Sequence, residues 1–242
     1  HLAALWLLHC HEYPRSAFHV NIEGTFNIIE ACTKHHVKKL IYSSSASVYG
    51  DAVELPMKED HPYNNNTFYG ATKIAGEHMM HAYHHRYGLN FVGLRYMNVY
   101  GARQDYFGTY IAVIMKILDR LDNNLPPLVY GDGSQSYDFI YVSDIAKANI
   151  CSAKSSATDS FYNVGSGVQT SIKTLTESIL KLTSSTQKIQ FEPAGQTFVT
   201  NRIGDPTNAI NELNFKYSIE LEEGLQKLIE WRNAHKEIVE KR

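Results

Sequence analysis

The stretch IYSSSASVYG, from Ile41 to Gly50, is followed after a loop by FYGATK, from Phe68 to Lys73. The first stretch closes a short run rich in apolar and aromatic residues, which predicts a strand that ends at its serines. The second opens a longer run with helical spacing that continues to Tyr87, and Gly88 is a typical helix end. A short apolar strand followed by a long helix predicts a parallel α/β fold.

Three side chains in these stretches indicate a proton-transfer site. Residues four apart on a helix share a face, so we expect Lys73 to lie beside Tyr69. A free phenol has a pKa of about 10, and a neighbouring ammonium lowers that pKa by stabilising the phenolate. Ser45 would hydrogen-bond the same substrate oxygen that Tyr69 deprotonates. We therefore predict Ser45, Tyr69 and Lys73 as catalytic residues for the oxidation or reduction of an alcohol.

Strand and helix patterns alternate along the rest of the chain. Asp205 followed by Pro206 is a helix-start signal, because Asp accepts hydrogen bonds from the first turn and Pro suits that turn. The predicted strands lie at 37–42, 90–94, 129–133, 138–142 and 188–192. The predicted helices lie at 14–34, 67–87, 110–121, 171–183, 206–214 and 221–240.

Six motifs, in their order and separation, resemble the extended short-chain dehydrogenase/reductase family, and within it the nucleotide-sugar epimerases and dehydratases. They are HLAA (1–4), NIEGTFNIIEAC (21–32), KKLIYSSSASVYG (38–50), LRYMNVYG (94–101), GDGSQSYDFIYVSDIA (131–146) and YNVGSG (162–167). The resemblance implies an NAD-binding Rossmann-type doubly wound parallel sheet, at 1–101 and 137–166. It also implies a smaller C-terminal α/β substrate domain, at 102–136 and 167–242.

The same resemblance implies NAD as cofactor and a nucleotide-diphosphate sugar as substrate. It further implies a homodimer in which the helices at 14–34 and 67–87 pack as a four-helix bundle. The glycine-rich G-x-x-G-x-x-G turn of the family is not found in the 242 residues. We therefore expect the first three strands of the family fold to be missing, and dinucleotide binding by the chain alone to be poor.

Composition excludes several other classes of protein. With 242 residues, 43% of them hydrophobic and a net charge of −2, the chain has no basic excess for nucleic acid. Three cysteines, Cys10, Cys32 and Cys151, lack zinc-type spacing and predict reduced thiols in a cytoplasmic enzyme. Because a bilayer-spanning helix needs about 18 or more apolar residues in succession, no membrane segment is predicted.

The family resemblance also assigns residues to the cofactor and the substrate. Ser43 and Ser44 would line the nicotinamide or cap the strand end. Asn98 would contact the diphosphate or serve as a turn residue, and Tyr96 and Asn21 would either border the site or have packing and capping roles. The implied cofactor residues are Ala3, Ala4, Ser43, Ser44, Tyr69, Lys73 and Tyr96. The implied substrate residues are Ser45, Asn98, Arg103, Tyr137 and Arg202.

Two departures from the family pattern concern the diphosphate. Where relatives have an arginine before Asp138, this chain has Tyr137, which offers one hydrogen bond and no charge. Arg103 is a candidate to compensate. Arg202 begins an Arg-x-Gly-Asp sequence like the family's substrate-binding motif, but counting back from the following helix places the family arginine near Gly195.

The 12 histidines raise the question of a metal site. His81 shares a helix face with His84 or His85. No carboxylate or cysteine stands at metal-ligand spacing beside them, so we interpret this group as a solvated or dimer-facing patch and predict no metal.

The residues after Ser45 discriminate between reactions in the family. Dehydratases place an Asp-Glu pair there, and the related decarboxylases a Glu; this chain has Ala46 and Ser47, which do no acid–base work at neutral pH. We therefore predict a 4-epimerase of the UDP-hexose type that oxidises sugar carbon 4 transiently. A dehydratase or reductase of the family, or a catalytically idle binding protein, remains the alternative.

Overall fold

A computed structural model describes residues 1–104, 112–194 and 199–235. A π-helical turn, Phe18–Glu23, joins α2 to α3, and a 3-10 turn, Ala46–Val48, follows β1. The helices are α1 (Leu7–Glu12), α2 (Pro14–Ala17), α3 (Gly24–Lys34), α4 (Phe68–Tyr87), α5 (Val113–Asp122), α6 (Val142–Lys154), α7 (Ile172–Leu182), α8 (Thr207–Leu213) and α9 (Leu221–Ala234). The strands are β1 (Leu40–Ser45), β2 (Phe91–Tyr96), β3 (Asn98–Tyr100), β4 (Leu128–Tyr130), β5 (Ser136–Tyr141), β6 (Ser160–Val164), β7 (Gln169–Ser171), β8 (Gln190–Glu192) and β9 (Asn201–Arg202).

The first sheet is parallel and has the order β1-β2-β6. Successive strand residues point to opposite faces. Ser44 on β1 donates to Glu77 of α4, whereas Ser43 bonds Tyr96, whose hydroxyl contacts Asn149 of α6. Helices α4 and α6 therefore cover opposite faces of the sheet, which confirms the predicted doubly wound parallel arrangement.

A second group of strands centres on β5. This strand pairs in parallel with β3 and β9 and antiparallel with β7, while β4 pairs separately with β8. Helices α5, α7 and α9 pack with β5 in their own apolar core. The domain boundary proposed at residue 137 therefore falls inside β5, which does not pair with β1, β2 or β6 in the described ranges.

The bounds predicted for the catalytic helix, α4, are confirmed. Thr67 precedes the helix and its hydroxyl accepts a hydrogen bond of 3.0 Å from Gly70 N, which satisfies a free amide of the first turn. Gly88 ends the helix with a φ of 70°, a conformation that costs glycine little.

An ion pair between Arg95 and Glu77 lies in the interior. Their side chains are 4% and 1% exposed, and Arg95 donates to both carboxylate oxygens at 2.9 and 2.7 Å. Ser44 and Tyr63 donate to the same carboxylate. Burial alone would lower the pKa of Arg95, but Glu77 outweighs burial and the net pKa is raised. The pair joins β2 to the middle of α4.

In the described part of the chain, no helix is long and apolar enough to cross a bilayer. Cys10, Cys32 and Cys151 are all free thiols, and Cys10 is buried.

We predict that Glu77→Gln lowers the free energy of unfolding by about 3–5 kcal/mol, because the substitution leaves the Arg95 guanidinium buried without its counter-charge. Chemical denaturation measures this loss. Glu23→Gln is the control, because Glu23 pairs with His19 at the surface, where such pairs contribute about 0–1 kcal/mol. Equal effects of the two substitutions would contradict a stabilising role for the buried pair.

Candidate active site

Ser45 and Tyr69 meet where β1 ends and α4 begins. Ser45 is the last residue of β1, and its hydroxyl accepts a hydrogen bond of 3.1 Å from Ser47 N as the chain turns. Tyr69 lies in the first turn of α4 and hydrogen-bonds Ser45. A Cβ atom on Gly70 would fall 2.5 Å from the Ser47 carbonyl oxygen. Glycine in FYGATK therefore allows α4 to approach the serine turn.

Lys73 is fixed beside Tyr69 by the backbone of β1. Its Nζ donates to the Ser43 carbonyl at 2.7 Å and lies 5.6 Å from the centre of the Tyr69 ring. The same Nζ lies 5.3 Å from the centre of the Tyr42 ring. Burial lowers the pKa of Lys73 to about 8. These three contacts of Lys73 thus come from β1 and from its own helix.

The pKa of Tyr69 is raised rather than lowered. Burial raises it to about 12, and the hydrogen bond from Ser45 and the charge of Arg202 oppose this rise without cancelling it. Lys73 therefore does not by itself produce the phenolate that the sequence suggested. At neutral pH Tyr69 carries its proton in this state, and it needs further positive charge at the site to act as a base.

Asn21 braces the site from the π-helical turn before α3. It is 2% exposed; its amide oxygen accepts from Leu5 N at 2.7 Å, and its amide nitrogen donates to Leu5 O and to Thr72 Oγ1. Thr72 precedes Lys73 on α4. The bracing role considered for Asn21 is therefore the one that its contacts support, since it links the N-terminal segment to the catalytic helix.

The three serines of β1 have different partners. Ser43 bonds the Tyr96 hydroxyl at 3.1 Å, on the face of the sheet covered by α6. Ser44 donates to Glu77 at 2.6 Å on the other face. The Ser44 hydroxyl is thus committed to the buried ion pair and not to a cofactor, whereas Ser43 and Tyr96 remain candidates for the nicotinamide.

The first residues of the chain run beside β1. The amino group of His1 donates to Ile41 O at 2.7 Å, and Ser43 N donates to His1 O at 3.1 Å. These bonds place Ala3 and Ala4 directly after a segment that is paired with the catalytic strand.

A cavity of about 750 Å³ opens next to the catalytic residues. Most of the predicted substrate residues share its lining. Arg103 is exposed, has a φ of 68° and is not among the residues that line the cavity. Gly195, the other candidate position for the family arginine, lies outside the described residues. The predicted residues in the lining are Ser45, Tyr96, Asn98, Tyr137 and Arg202.

Tyr137 and Arg202 are neighbours on adjacent strands. They are register partners in the parallel pair of β5 and β9. The Tyr137 hydroxyl donates to Val199 O at 2.8 Å, so its single donor is already used. The sequence predicted neither this hydrogen bond nor the pairing of the two strands.

The motif YNVGSG supplies hydrogen-bond donors to a buried carboxylate. Asp138, which is fully buried, accepts hydrogen bonds from Ser166 N, Ser166 Oγ and Gly167 N. A Cβ atom on Gly165 would overlap the carboxylate of Asp138. The motif therefore ties β5 to the end of β6, which explains its glycines without a phosphate.

The structure adds a carboxylate to the histidine patch. His81 lies 2.7 Å from Asp159, and His84 and His85 lie 3.9 and 3.7 Å from the same carboxylate. The donor atoms of His81, His85 and Asp159 lie within 4.8 Å of one another. Sequence spacing could not reveal this group, because Asp159 is distant in the chain and enters the patch only through the loop before β6.

Glu77, Arg95 and Asn163 were not predicted as parts of the site. Asn163 accepts from the Tyr49 hydroxyl, which in turn accepts from Arg95. Two sequence signals were available: Glu77 stands four residues after Lys73 on the same helix face, and Arg95 interrupts an otherwise apolar strand.

The fold is that of a dinucleotide-binding α/β protein, and Ser45, Tyr69 and Lys73 come together where β1 ends and α4 begins. Residues 1–165 match the NAD dependent epimerase/dehydratase family, and the chain belongs to that family.

Proteins similar to this chain in sequence and in structure are named as 4-epimerases, which is consistent with this family. A putative UDP-glucose 4-epimerase of Methanocaldococcus jannaschii is 35% identical over 215 residues, which are 88% of this chain and 68% of the relative. The structure of the UDP-N-acetylglucosamine 4-epimerase from Methanobrevibacter ruminantium, in complex with UDP-N-acetylmuramic acid, superposes with a TM-score of 0.93 at 35% identity. The match covers 76% of that structure's chain and 97% of this chain.

A second similar structure contains NAD. The UDP-glucuronic acid 4-epimerase of Bacillus cereus, in complex with UDP-glucuronic acid and NAD, superposes with a TM-score of 0.86 at 25% identity. The match covers 97% of this chain and 74% of that chain.

We predict that Tyr137→Arg lowers the melting temperature and weakens the binding of nucleotide sugar. The substitution removes the bond to Val199 O and places a second guanidinium beside its register partner Arg202. Thermal melting and titration calorimetry with UDP-glucose measure the two effects, and Tyr137→Phe, which adds no charge, is the control. Tighter binding by Tyr137→Arg would show instead that position 137 has simply lost a diphosphate ligand.

Proposed function

We propose that the protein is an NAD-dependent 4-epimerase of a nucleotide-diphosphate sugar, of the UDP-hexose type. The observation that carries this proposal is the contact of Ser45 with Tyr69, with Lys73 fixed beside them, at the edge of a cavity of about 750 Å³. The relatives named as UDP-sugar 4-epimerases support it.

The residues at the site fit the nicotinamide half of NAD. Open α/β sheets bind dinucleotides at the carboxyl ends of their strands. Ser45 and Tyr96 are register partners at the ends of β1 and β2, and Ser43 bonds Tyr96 there. Lys73, Ser43 and Tyr96 are therefore the residues that we propose to hold this half, with Ala3 and Ala4 beside the same strand. Bound there, NAD would supply the acceptor for the hydride of sugar carbon 4 and, once reduced, the donor that restores it.

The protein's part is to move one proton and to orient the sugar. Ser45 and Tyr69 hydrogen-bond the 4-hydroxyl, and Tyr69 accepts its proton as carbon 4 is oxidised. The Lys73 ammonium, held by Ser43 O, stabilises the Tyr69 phenolate that accepts this proton, and the transfer leaves Tyr69 as a neutral phenol. Tyr69 returns the proton after the keto sugar has turned over, so the starting state of the enzyme is restored.

The alternatives differ from a 4-epimerase in the groups they need or in the product they release. Elimination in a dehydratase requires an acid and a base next to Ser45, where Ala46 and Ser47 are both buried and carry no titratable group. A reductase would use the same three residues and differs in releasing its keto product. A catalytically idle binding protein would have no need for a buried lysine beside Tyr69.

We also propose that the protein is a homodimer in a reducing, cytoplasmic environment. The helical segment from Pro14 to Lys34 exposes four large apolar side chains. Ile29 on the same segment is fully buried in the subunit, so the proposed interface uses the neighbouring residues. The exposed side chains are Phe18, Val20, Phe26 and Ile28.

We predict that Tyr69→Phe in the full-length protein reduces kcat about 10²- to 10⁴-fold, the usual contribution of a positioned acid–base group. Binding of nucleotide sugar should change little, because the ring is retained. Tyr87→Phe is the control, since Tyr87 lies at the exposed end of the same helix. Wild-type turnover in Tyr69→Phe would exclude Tyr69 as the acid–base residue.

We predict the mass of a dimer in light scattering at micromolar concentration, and a shift towards the monomer in Phe26→Asp, because a buried charge at the interface is unfavourable. Leu125→Asp introduces the same charge at an exposed apolar residue in the turn between α5 and β4 and should leave the mass unchanged. A monomeric wild-type protein would refute the dimer.

A further inference from the structure

Arg202 is a charged side chain without a counter-ion in the described part of the chain. Its Nε atom is buried and has no hydrogen-bond partner there, and no carboxylate lies within ion-pair distance of it. Removing a guanidinium from water without a counter-ion is unfavourable, and proteins rarely retain such a charge without a ligand. Arg202 lines the 750 Å³ cavity, so a ligand there can reach it.

The acidic residues near Arg202 have other partners. Asp51 accepts hydrogen bonds from Thr200 N, Thr200 Oγ1 and Asn201 N, which occupy both of its oxygens. Asp119, the acid among the described lining residues, forms an ion pair with Arg232. Lys116 and Arg120 add positive charge to the lining from α5. The cavity is therefore suited to a ligand with several negative charges.

Arg202 belongs to the end of the cavity where the sugar reacts. Ser45 lines the same cavity, and the charge of Arg202 acts on the Tyr69 hydroxyl. The proposed reaction places sugar carbon 4 at Tyr69. Carbon 6 is attached to carbon 5, the ring neighbour of carbon 4, so a substituent on carbon 6 lies close to the reacting oxygen.

We propose that Arg202 binds a carboxylate on the sugar and that the enzyme acts on a nucleotide-diphosphate sugar with an acidic sugar. This inference rests on the proposed 4-epimerase function, which places the sugar at Tyr69. The free Nε and one terminal nitrogen of a guanidinium match a carboxylate in two parallel charge-assisted hydrogen bonds, whereas a neutral hexose offers only uncharged hydroxyl oxygens.

The competing interpretation is that Arg202 replaces the arginine missing from position 137 and binds the diphosphate. Tyr137 is its register partner, so the two positions are adjacent. Asn98 and the two cations of α5, Lys116 and Arg120, line the same cavity and offer the diphosphate other partners. This favours the assignment of Arg202 to the sugar carboxylate.

Titration calorimetry with three probes separates the two interpretations. UDP carries the nucleoside and the diphosphate without an attached hexose. UDP-glucose adds a neutral hexose, and UDP-glucuronate adds a hexose with a carboxylate at carbon 6. We expect Arg202→Gln in the full-length protein to weaken UDP-glucuronate binding at least about 10-fold, as for the loss of a charged hydrogen bond. The affinity for UDP and UDP-glucose should change less than about 3-fold. Arg202→Lys, which keeps the charge and loses the planar fork, should be intermediate.

The controls test the fold and the specificity of the effect. Arg86→Gln removes an exposed arginine near the end of α4 and should leave all three affinities unchanged. Arg202→Gln should melt no lower than the wild type, because it removes an unpaired buried charge. Lys116→Gln should weaken all three probes alike if α5 serves the diphosphate.

Two outcomes would overturn the inference. Equal weakening of the three probes by Arg202→Gln would assign Arg202 to the diphosphate, and no weakening of any probe would exclude it as a ligand. Failure of the proposed function is a separate result: UDP-glucuronate would bind through Arg202 but would not be epimerised. Conversely, epimerisation of UDP-glucose together with affinities insensitive to Arg202 would retain the function and reject the acidic substrate.

Discussion

The buried ion pair of Arg95 and Glu77 positions α4, the helix that carries the proposed catalytic residues Tyr69 and Lys73. Arg95 belongs to β2, Glu77 stands four residues after Lys73 on α4, and Ser44 of β1 donates to the same carboxylate. Each carboxylate oxygen has at least two donors, so the charge is compensated inside the core. The pair therefore fixes the rotation of α4 over the sheet, and with it the approach of Tyr69 and Lys73 to Ser45.

Local sequence signals predicted the parts of the fold that depend on local interactions. The bounds of α4 followed from Thr67 and Gly88, and the position of Lys73 beside Tyr69 from the four-residue spacing on that helix. The parallel sheet followed from the alternation of strands and helices, and its doubly wound form from the family resemblance. The pairing of β5 with β9 was not predicted, because register between distant strands depends on contacts that have no signature in a single sequence.

The sequence also did not predict the electrostatics of the site. The prediction of a lowered pKa for Tyr69 took account of the Lys73 ammonium but not of the burial of the phenol, which is the larger effect. Arg202 was considered through a motif whose spacing was ambiguous, and the pairing of strands brings it to Tyr137 and the cavity. Asp159 entered the histidine patch by the same kind of long-range contact. Burial thus determined the pKa of Tyr69, and tertiary contacts determined the neighbours of Arg202 and Asp159.

The most direct test of the central claim follows the hydrogen on sugar carbon 4. The full-length protein is incubated with NAD and a UDP-sugar that carries deuterium at that carbon, and the products are examined by nuclear magnetic resonance. Transient oxidation of carbon 4, with Ser45, Tyr69 and Lys73 handling the proton and added NAD the hydride, predicts the 4-epimer with deuterium still on carbon 4 and no accumulation of reduced nicotinamide. Deuterium in free reduced nicotinamide, or on carbon 6 of a deoxy sugar, would contradict the account.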